Sequence, residues 1–511
     1  MQLVVFMSLS LKPISDSKVT EAIMPYLKDP RLVRELAYVN GKWVNGNSDV
    51  AVLNPATDDI IGHCTQLQPL QISHAIDVAD QAFPAWRALM ADERAAILMR
   101  WHDLILEHKE DLAILMVLEQ GKSLSDARGE VDYGASFIRW FAEEGRRAYG
   151  ETIPSHIPNA QLATLREPIG VAALITPWNF PSAMITRKAA AALAIGCTVL
   201  VKPANETPFS ALALAELAER AGFPAGVYNV ITGDGAEVCS VLCQSDKVKA
   251  LSFTGSTRVG KLLLEQAAAT VKKCSMELGG NAPFIVLPDM DIAAAARAAV
   301  DAKFQTAGQD CLAANRIFVP RARYEAFLEA FAAEMASIKV GNGFDDGVTM
   351  GPLIFRQAVS KAQEIVDDAI AKGARLIAGD QSQAPGPNFF MPTLLADVTP
   401  QMKVFREENF CPVAGVLPYD SIDELIPQAN DTEYGLAAYV YGHDIRHIWQ
   451  LMRGLEFGMV SVNSVKMTGH GIPFGGVKQS GLGREGSRHG FDEYSQIKYY
   501  CLGAMPTVSG S

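Results

Sequence analysis

The chain lacks a long apolar run and a cluster of basic residues. Its longest apolar stretch, from Ala189 to Val201, is shorter than the roughly 20 residues needed to span a bilayer, so a membrane is not expected as a partner. The 45 Lys and Arg against 57 Asp and Glu give a net charge of −12. This acidic balance argues against nucleic acid as a partner, because nonspecific nucleic-acid affinity depends on clustered Lys and Arg.

Cysteine is also sparse. The 8 cysteines are scattered along the chain and have neither the density of a disulfide framework nor the paired spacing of metal ligands. We therefore expect no bound metal and a reducing compartment. The opening segment, MQLVVFMSLSLKP, is apolar but lacks the basic stretch and cleavage site of a signal peptide, so we interpret it as a frayed end of a cytoplasmic protein.

What the sequence does contain is an alternation of β-branched runs and Ala-rich helical segments. The 511 residues correspond to roughly three domains of about 150 residues. VAALIT at 171–176, TVLVKP at 198–203 and GVYNVIT at 226–232 are separated by helix-length segments, such as the one that ends at Gly222. This spacing predicts βαβ units, and therefore a parallel sheet, over about 170–277.

A second alternation follows the first. NAPFIVL at 281–287 and NRIFVP at 315–320 are separated by an Ala-rich helix that ends near Phe304, which predicts a second α/β domain beginning near Leu278. Helical periodicity over about 100–148 is expected to pack on the first sheet. YSQIKYYCLG, near the end of the chain, is a candidate strand with no evident partner in a finished sheet. We expect that it could complete the sheet of a partner subunit.

Two motifs are typical of a nucleotide site. In FTGSTRVGK, Gly255 and Gly260 permit a tight turn into a helix whose free N–H groups can face a pyrophosphate. Lys202 ends a predicted strand, from which it can reach a ribose hydroxyl or phosphate. The plainer alternatives are a Gly-containing turn and a solvated surface lysine.

Three further segments carry residues suited to catalysis. Cys311, in the polar segment FQTAGQDCLAANR, is a candidate nucleophile, although most lone cysteines are inert core residues. Glu277 precedes two glycines that allow close approach to a cleft, which suits a general base, and the alternative is a surface Glu before a turn. Asn179 lies in the stiff loop ITPWNFP and can offer an amide N–H to an oxyanion, or can simply form the turn.

Together these segments resemble the aldehyde dehydrogenase superfamily, and the likeness runs from NGKWVNG near the start to PFGGVKQSGLGREG near the end. PSAMITRKAAAALAIGCTVLVKP and KQSGLGREGS are similar to the succinate-semialdehyde dehydrogenase branch. The resemblance implies an α/β fold of three parts that forms homodimers or homotetramers. The parts are a Rossmann-type NAD(P)-binding domain (1–145 and 168–277), an α/β catalytic domain (278–481) and a small bridging element for oligomerisation (146–167 and 482–511).

The resemblance also assigns roles to residues. It implies that Cys311 is the nucleophile, Glu277 the general base and Asn179 the amide that stabilises the oxyanion, while Glu485 in GREG helps relay a proton. The cofactor positions that it implies, among which Glu408 would hold the nicotinamide ribose, are Trp178, Lys202, Asn205, Gly235, Gly255, Ser256, Glu408 and Phe410.

Two positions near the predicted cofactor site, Asn205 and Cys411, depart from the family pattern. NAD-selective relatives often carry Glu where this chain has Asn205, and that Glu repels the 2′-phosphate of NADP. Without this repulsion, and with Lys202 as a counter-charge, we predict that both NAD and NADP are used. Cys411 replaces a usual Gly, and it is either a reactive second thiol or a packing residue.

The substrate positions depart from the pattern as well. By resemblance, Arg187 binds a distal carboxylate, whereas Gln305 replaces a second Arg and Thr468 replaces a usual Ser. Lys466 and His470 lie in the same loop. Lys466 either supplies the missing positive charge or points into solvent.

We therefore predict NAD(P)-dependent oxidation of an anionic, small-molecule aldehyde similar to succinate semialdehyde. Glutarate semialdehyde and sulfolactaldehyde are the alternative substrates. A coenzyme-A-acylating enzyme, which needs no deacylating base, and a non-catalytic binding protein are the competing functions.

Overall fold

Parallel strands joined by helices make up most of the computed structural model, which describes residue 23 and residues 26–503. The opening segment interpreted above as frayed lies outside these residues. The described residues form four sheets, and the predicted α/β class is confirmed. Within them, no helix is both long and apolar enough to cross a membrane.

The first sheet has eight strands. They are β1 (Ala37–Val39), β2 (Lys42–Val44), β7 (Val171–Ile175), β8 (Thr198–Lys202), β9 (Tyr228–Val230), β10 (Val248–Thr254), β11 (Lys273–Glu277) and β19 (Gly481–Leu482). Their order across the sheet is β19-β11-β10-β7-β8-β9-β1-β2. The central strands β11, β10, β7, β8 and β9 are parallel, so the predicted βαβ block is confirmed.

Both faces of this sheet are buried. In β7 the side chains of Ala172 and Leu174 enter one core, whereas Val171, Ala173 and Ile175 enter another. A sheet covered on both sides needs apolar residues at every position, which explains the unbroken apolar runs in the sequence. The covering helices are α1 (Pro69–Ala88), α2 (Ala91–Glu107), α3 (Lys109–Gln120), α4 (Leu124–Glu144), α5 (Ala183–Ile195), α6 (Pro208–Ala221), α7 (Gly235–Gln244) and α8 (Thr257–Ala267).

Glycine ends two of these helices. Gly196, with φ of 110°, follows α5, and Gly222, with φ of 88°, follows α6. Both lie in the left-handed region, where a side chain would be strained, so the end of α6 lies where the sequence predicts it.

The second sheet has seven strands, in the order β14-β15-β16-β13-β12-β17-β18. The strands are β12 (Ala282–Val286), β13 (Ala314–Pro320), β14 (Arg375–Ala378), β15 (Thr393–Ala396), β16 (Val413–Tyr419), β17 (Ala437–Tyr441) and β18 (Met459–Val462). Its helices are α9 (Ile292–Phe304), α10 (Tyr324–Met335), α11 (Arg356–Ala371), α12 (Lys403–Arg406), α13 (Ile422–Asn430) and α14 (Ile445–Gly454). The chain passes from the first sheet to the second between Glu277 and Ala282.

Two smaller antiparallel sheets complete the fold. β3 (Ser48–Leu53) pairs with β4 (Ile60–Gln66). β6 (Gln161–Pro168) lies between β5 (Thr152–Ile153) and β20 (Ser495–Leu502).

The pairing of β20 corrects one expectation. YSQIKYYCLG had no evident partner in the sequence, but β20 pairs with β6 along its whole length, from Ser495 opposite Pro168 to Leu502 opposite Gln161. β6 is separated from β20 by more than 300 residues of sequence, so local pattern could not reveal the pairing. The predicted role of this segment in oligomerisation stays a prediction.

Candidate active site

A cavity of about 760 Å³ has Cys311 in its wall. The other walls come from α4, from the segment 180–187 at the start of α5, from the end of α9 and from the loop after β18. Only 8% of Cys311 is exposed, so the thiol can be reached through the cavity while the rest of the residue packs into the core.

The backbone before Cys311 is unusual. Thr306, Ala307 and Gly308 have φ of 49°, 57° and 72°, all in the left-handed region. Such a run is costly for residues with side chains and persists only when the surroundings hold it. Here the side chain of Gln309 donates to the carbonyls of Thr306 and Pro352 and accepts the backbone N–H of Ile354 at 3.0 Å. This network holds the loop that presents the thiol.

Glu277 approaches the loop of Cys311 from the first sheet. It is the last residue of β11 and is 3% exposed. A Cβ at Gly280 would overlap the carbonyl oxygen of Cys311, and a Cβ at Gly279 would lie 2.6 Å from Oε2 of Glu408. Only glycine permits this approach, so the two glycines after Glu277 allow the two loops to meet, as expected from the sequence.

Burial and charge set the protonation of these two groups. Burial raises the pKa of Glu277 to about 7, helped by Glu485 and opposed by the cations Arg187 and Lys188. The pKa of the Cys311 thiol lies well above its ordinary value because of burial and then because of the nearby carboxylates of Glu277 and Asp310. The thiol is therefore neutral at rest, and Glu277 is a carboxylate that can accept a proton near neutral pH.

Asn179 is held beside the loop of the nucleophile. Its Nδ2 donates to the backbone carbonyl of Gln309 at 3.0 Å, and the backbone carbonyl of Asn179 accepts a hydrogen bond of 2.8 Å from Nζ of Lys122. Lys122 in turn pairs with Glu130 at 2.6 Å, whose other oxygen accepts the backbone N–H groups of Ser182 and Ala183 at the start of α5. The amide is therefore rigid, as oxyanion stabilisation requires.

Glu485 joins a buried cluster of charges. It forms an ion pair with Lys188, and its Oε2 lies 2.5 Å from Nε of Arg187, whose guanidinium stacks over Phe474 at 4.2 Å. Burial alone would raise the pKa of Glu485, but Arg187 and Lys188 outweigh it and hold that pKa below its ordinary value. Glu485 is thus a charged counter-ion. Its predicted part in a proton relay stays a prediction.

Six of the predicted cofactor residues end or follow strands at the carboxyl edge of the first sheet, whereas Glu408 and Phe410 lie between α12 and β16. Lys202 ends β8, and its Nζ donates to the carbonyl of Pro203 at 2.7 Å and to Oδ1 of Asn205 at 3.0 Å. Gly235 begins α7, and Ser256 caps α8 by accepting the N–H of Val259. Some buried polar atoms at this edge of the first sheet have no hydrogen-bond partner among the described residues. Buried hydroxyls without a partner among the described residues belong to Thr176, Thr232 and Thr254.

This edge fits a cofactor with ribose and phosphate groups. Gly255 precedes Ser256 at the start of α8, where free helix N–H groups can face an anion. Trp178 packs edge-on against Phe410 at 5.6 Å between ring centres. Glu408 accepts the N–H of Gly280 at 2.8 Å, and burial raises its pKa to about 7. The carboxylate of Glu408 therefore lies next to the loop that joins Glu277 to the second sheet.

Cys411 packs into the protein. It is 1% exposed, and burial raises the pKa of its thiol to about 11. A Cβ at Gly308 would overlap the carbonyl oxygen of Cys411, so this residue supports the loop that carries Cys311. The structure favours the packing role over the reactive one.

The structure brings four of the five predicted substrate residues together. Arg187, Gln305, Lys466 and Thr468 line the cavity with Cys311. His470 is outside that lining; it is exposed, and its ring lies 5.3 Å from that of Trp140. The loop turns between Thr468 and His470, which sequence alone could not show.

Sequence reasoning did not select the residues that hold the site in place. Lys122, Glu130, Lys188 and Gln309 are all buried and all contact a predicted catalytic residue or its loop. A signal was present for Lys188, because a lysine inside the apolar stretch RKAAAALAI is costly to bury unless it is paired.

Comparison with known proteins agrees with this geometry. The model of the aldehyde dehydrogenase family matches residues 43–500, and the chain belongs to this family. It is 67% identical over 487 residues to a non-phosphorylating aspartate-semialdehyde dehydrogenase of Halomonas elongata, covering 95% of this chain and 99% of that protein.

Two further proteins are similar. The succinate-semialdehyde dehydrogenase [NADP(+)] of Escherichia coli is 50% identical, with 93% of this chain and 99% of that protein covered. The crystal structure of an Escherichia coli NADP-dependent enzyme superposes with a TM-score of 0.93 at 50% identity, with 94% of this chain and 100% of that chain covered.

We expect aldehyde oxidation to rise with pH and to level off above about 7, because the raised pKa of Glu277 keeps that base protonated below this point. Glu485→Gln removes a negative charge that raises this pKa, so the rise should move to lower pH. Profiles of kcat against pH measure both effects. Asp420→Asn, which breaks an exposed ion pair with Arg321, is the control and should match the wild type. Identical profiles for Glu485→Gln and the wild type would contradict the electrostatic account.

Proposed function

We propose that this chain oxidises an anionic semialdehyde to the corresponding acid with NAD or NADP, through a thioester on Cys311. The observation that carries the proposal is the contact between the loop after Glu277 and the loop of Cys311, where a Cβ at Gly280 would overlap the carbonyl oxygen of Cys311. Glu277 and Cys311 are near enough that each alters the pKa of the other. Membership in the aldehyde dehydrogenase family supports the reaction class.

Glu277 starts the reaction by accepting the thiol proton. The sulfur of Cys311 then forms a bond to the aldehyde carbon, and negative charge moves to the aldehyde oxygen. Nδ2 of Asn179 and the backbone N–H of Cys311 are the donors that stabilise this oxygen. Because Lys122 and Gln309 already hold Asn179 in place, little reorganisation is needed when the charge develops.

When bound, NAD or NADP would supply the acceptor for the hydride that leaves the carbon bonded to the sulfur of Cys311, so that a thioester remains on Cys311. Lys202 and Glu408 are the side chains that would hold the cofactor, one at the end of β8 and the other beside Gly280.

Release of the acid again depends on Glu277. Once the thiol proton has passed from Glu277 to solvent, the carboxylate takes a proton from a water molecule whose oxygen attacks the thioester carbon, and the sulfur of Cys311 leaves as a thiolate. A buried carboxylate next to the nucleophile therefore favours a hydrolysing enzyme over one that passes its acyl group to coenzyme A.

The charge of the cavity supports an anionic substrate. Lys466 lies in the lining, whereas the charge of Arg187 is offset by Glu485. Gln305 is neutral, so Lys466 supplies the positive charge that a second Arg would have given. The named activities of the two relatives concern carboxylate-bearing semialdehydes. Glutarate semialdehyde and sulfolactaldehyde remain the alternatives within this class.

Replacing the nucleophile tests the reaction. Cys311→Ala should lower the rate of acid formation by about a thousandfold or more, since no other cysteine of the described residues lines the cavity. Product analysis with coenzyme A present should find free acid and no acyl-coenzyme A. Cys501→Ser removes an exposed thiol and should leave the rate unchanged. Retained acid formation in a Cys311→Ala protein with a normal melting temperature would exclude the mechanism.

Asn205 supports the use of both cofactors, because it places a neutral amide beside Lys202. Asn205→Glu should lower kcat/KM with NADP by about a hundredfold through repulsion of the 2′-phosphate, and should preserve kcat/KM with NAD. Asn205→Gln keeps the site neutral and is the matched control. A thousandfold preference of the wild type for NAD would show that Asn205 does not decide cofactor choice.

The three-stranded sheet supports assembly with further copies of the chain. Its strand β20 exposes Ile497, Tyr499 and Leu502 by 70%, 54% and 59%. A run of exposed apolar side chains on a short sheet indicates an interaction surface. We infer that a second copy covers it, giving a dimer or tetramer.

Charge placed on β20 tests this assembly. Ile497→Asp combined with Tyr499→Asp should lower the mass measured by light scattering, because burying two carboxylates in an interface is unfavourable. Lys498→Gln changes a neighbouring residue of the same strand and should keep the assembly. A wild-type protein that is monomeric at micromolar concentration would refute the inference.

A further inference from the structure

Asp301 and Lys466 carry opposite charges in the wall of the cavity, and they do not form an ion pair with each other. Asp301 lies near the end of α9, and Lys466 lies in the loop after β18. Both are exposed. Burial and Glu334 raise the pKa of Asp301, while Arg297 and Lys466 act in the opposite direction. Lys466 is therefore near enough to stabilise the carboxylate of Asp301 electrostatically. Among the described residues, no ion pair within 4.0 Å joins Asp301 to Lys466.

Several neighbouring charged side chains already form ion pairs with other residues of the chain. Arg297, the other cation near Asp301, pairs with Glu334 at 3.6 Å. Deeper in the cavity, Arg187 pairs with Glu485 and Glu130 pairs with Lys122. Asp126 and Asp310 also line the cavity without an ion pair among the described residues, but both are less exposed than Asp301. Asp301 and Lys466 are therefore the exposed charges of opposite sign in this lining with which a substrate can pair.

We propose that Asp301 and Lys466 together bind the α-amino carboxylate of an amino-acid semialdehyde, Asp301 taking the ammonium group and Lys466 the carboxylate. The proposal rests on the proposed function and specifies its substrate class. An α-amino carboxylate carries both charges on groups attached to one carbon, which suits two opposite charges that face one cavity without contacting each other. Asp301 and Lys466 line the same cavity as Cys311, so a substrate that they bind shares that space with the nucleophile.

Asp301 also discriminates against simpler substrates. A semialdehyde with only a carboxylate offers nothing to Asp301 and brings a like charge close to it, which is unfavourable. Selectivity therefore comes from attraction of the ammonium group and from repulsion of a substrate that lacks it. The neutral Gln305 strengthens this effect, because it adds no positive charge that would offset Asp301.

Asp126, another carboxylate of the cavity lining, serves as the comparison for Asp301. It lines the cavity from α4, and burial raises its pKa, with Lys122 and Ser123 acting in the opposite direction. The cation that lowers the pKa of Asp126 is Lys122, which itself pairs with Glu130, so the surroundings of Asp126 differ from those of Asp301. This difference makes Asp126→Asn a sharp comparison for Asp301→Asn.

A matched pair of substrates tests the proposal. Aspartate 4-semialdehyde and succinate semialdehyde have the same carbon chain and differ in the amino group. The wild type should have a kcat/KM for the amino substrate about tenfold higher or more. Asp301→Asn should lower that value about tenfold, the size expected when one charge-assisted contact is lost, and should maintain or raise kcat/KM for succinate semialdehyde. Asp301→Glu should restore much of the preference.

Two more variants complete the experiment. Lys466→Gln should lower kcat/KM for both substrates, because both carry the carboxylate. Asp346→Asn, an exposed residue outside the cavity lining, should change neither value. A melting temperature of Asp301→Asn that equals that of the wild type shows that the variant is folded.

The outcomes separate the two proposals. If the wild type oxidises succinate semialdehyde but Asp301→Asn changes both substrates by the same factor, the amino-acid site is wrong and the proposed function stands. If Asp126→Asn alone removes the preference, the assignment to Asp301 is likewise overturned. If the wild type oxidises neither aldehyde, nor glutarate semialdehyde or sulfolactaldehyde, the proposed function fails and this inference fails with it.

Discussion

The close approach of two loops is the constraint on which the site depends. One loop leaves the first sheet after Glu277, and the other carries Cys311 in the second sheet's domain. They can meet only because Gly280 has no side chain where the carbonyl oxygen of Cys311 lies. The approach brings a carboxylate from one sheet to a thiol from another, and burial at that point raises both pKa values.

The buried charges around this contact act as a group. Lys188, Arg187 and Glu485 neutralise one another in part, and their remaining charge influences Glu277. Burying ions is expensive unless they are paired. Their placement beside the reacting groups, rather than at the surface, therefore indicates a role in setting protonation. Lys122 and Glu130 stabilise the Asn179 loop. Lys122 donates to the backbone carbonyl of Asn179, and Glu130 accepts the backbone N–H of Ser182.

Much of the fold follows from local pattern. The apolar runs at 171–176 and 198–203 became neighbouring parallel strands, because strands covered on both faces need apolar side chains throughout. The partner of β20 could not be inferred in this way, since β6 lies far away in the sequence. The left-handed backbone at Thr306 and Ala307 was equally hidden, because neither residue type favours it.

By itself, the sequence determined the α/β class through local periodicity and the family through its motifs, and the resemblance to that family predicted Cys311, Glu277 and Asn179 as catalytic residues. Only the tertiary structure decided which charges cancel. Arg187 is offset by Glu485, whereas Asp301 and Lys466 face the cavity without an ion pair between them. The reason is that an electrostatic interaction depends on distance and burial in space, and the chain brings together residues such as Lys188 and Glu485 across 297 positions.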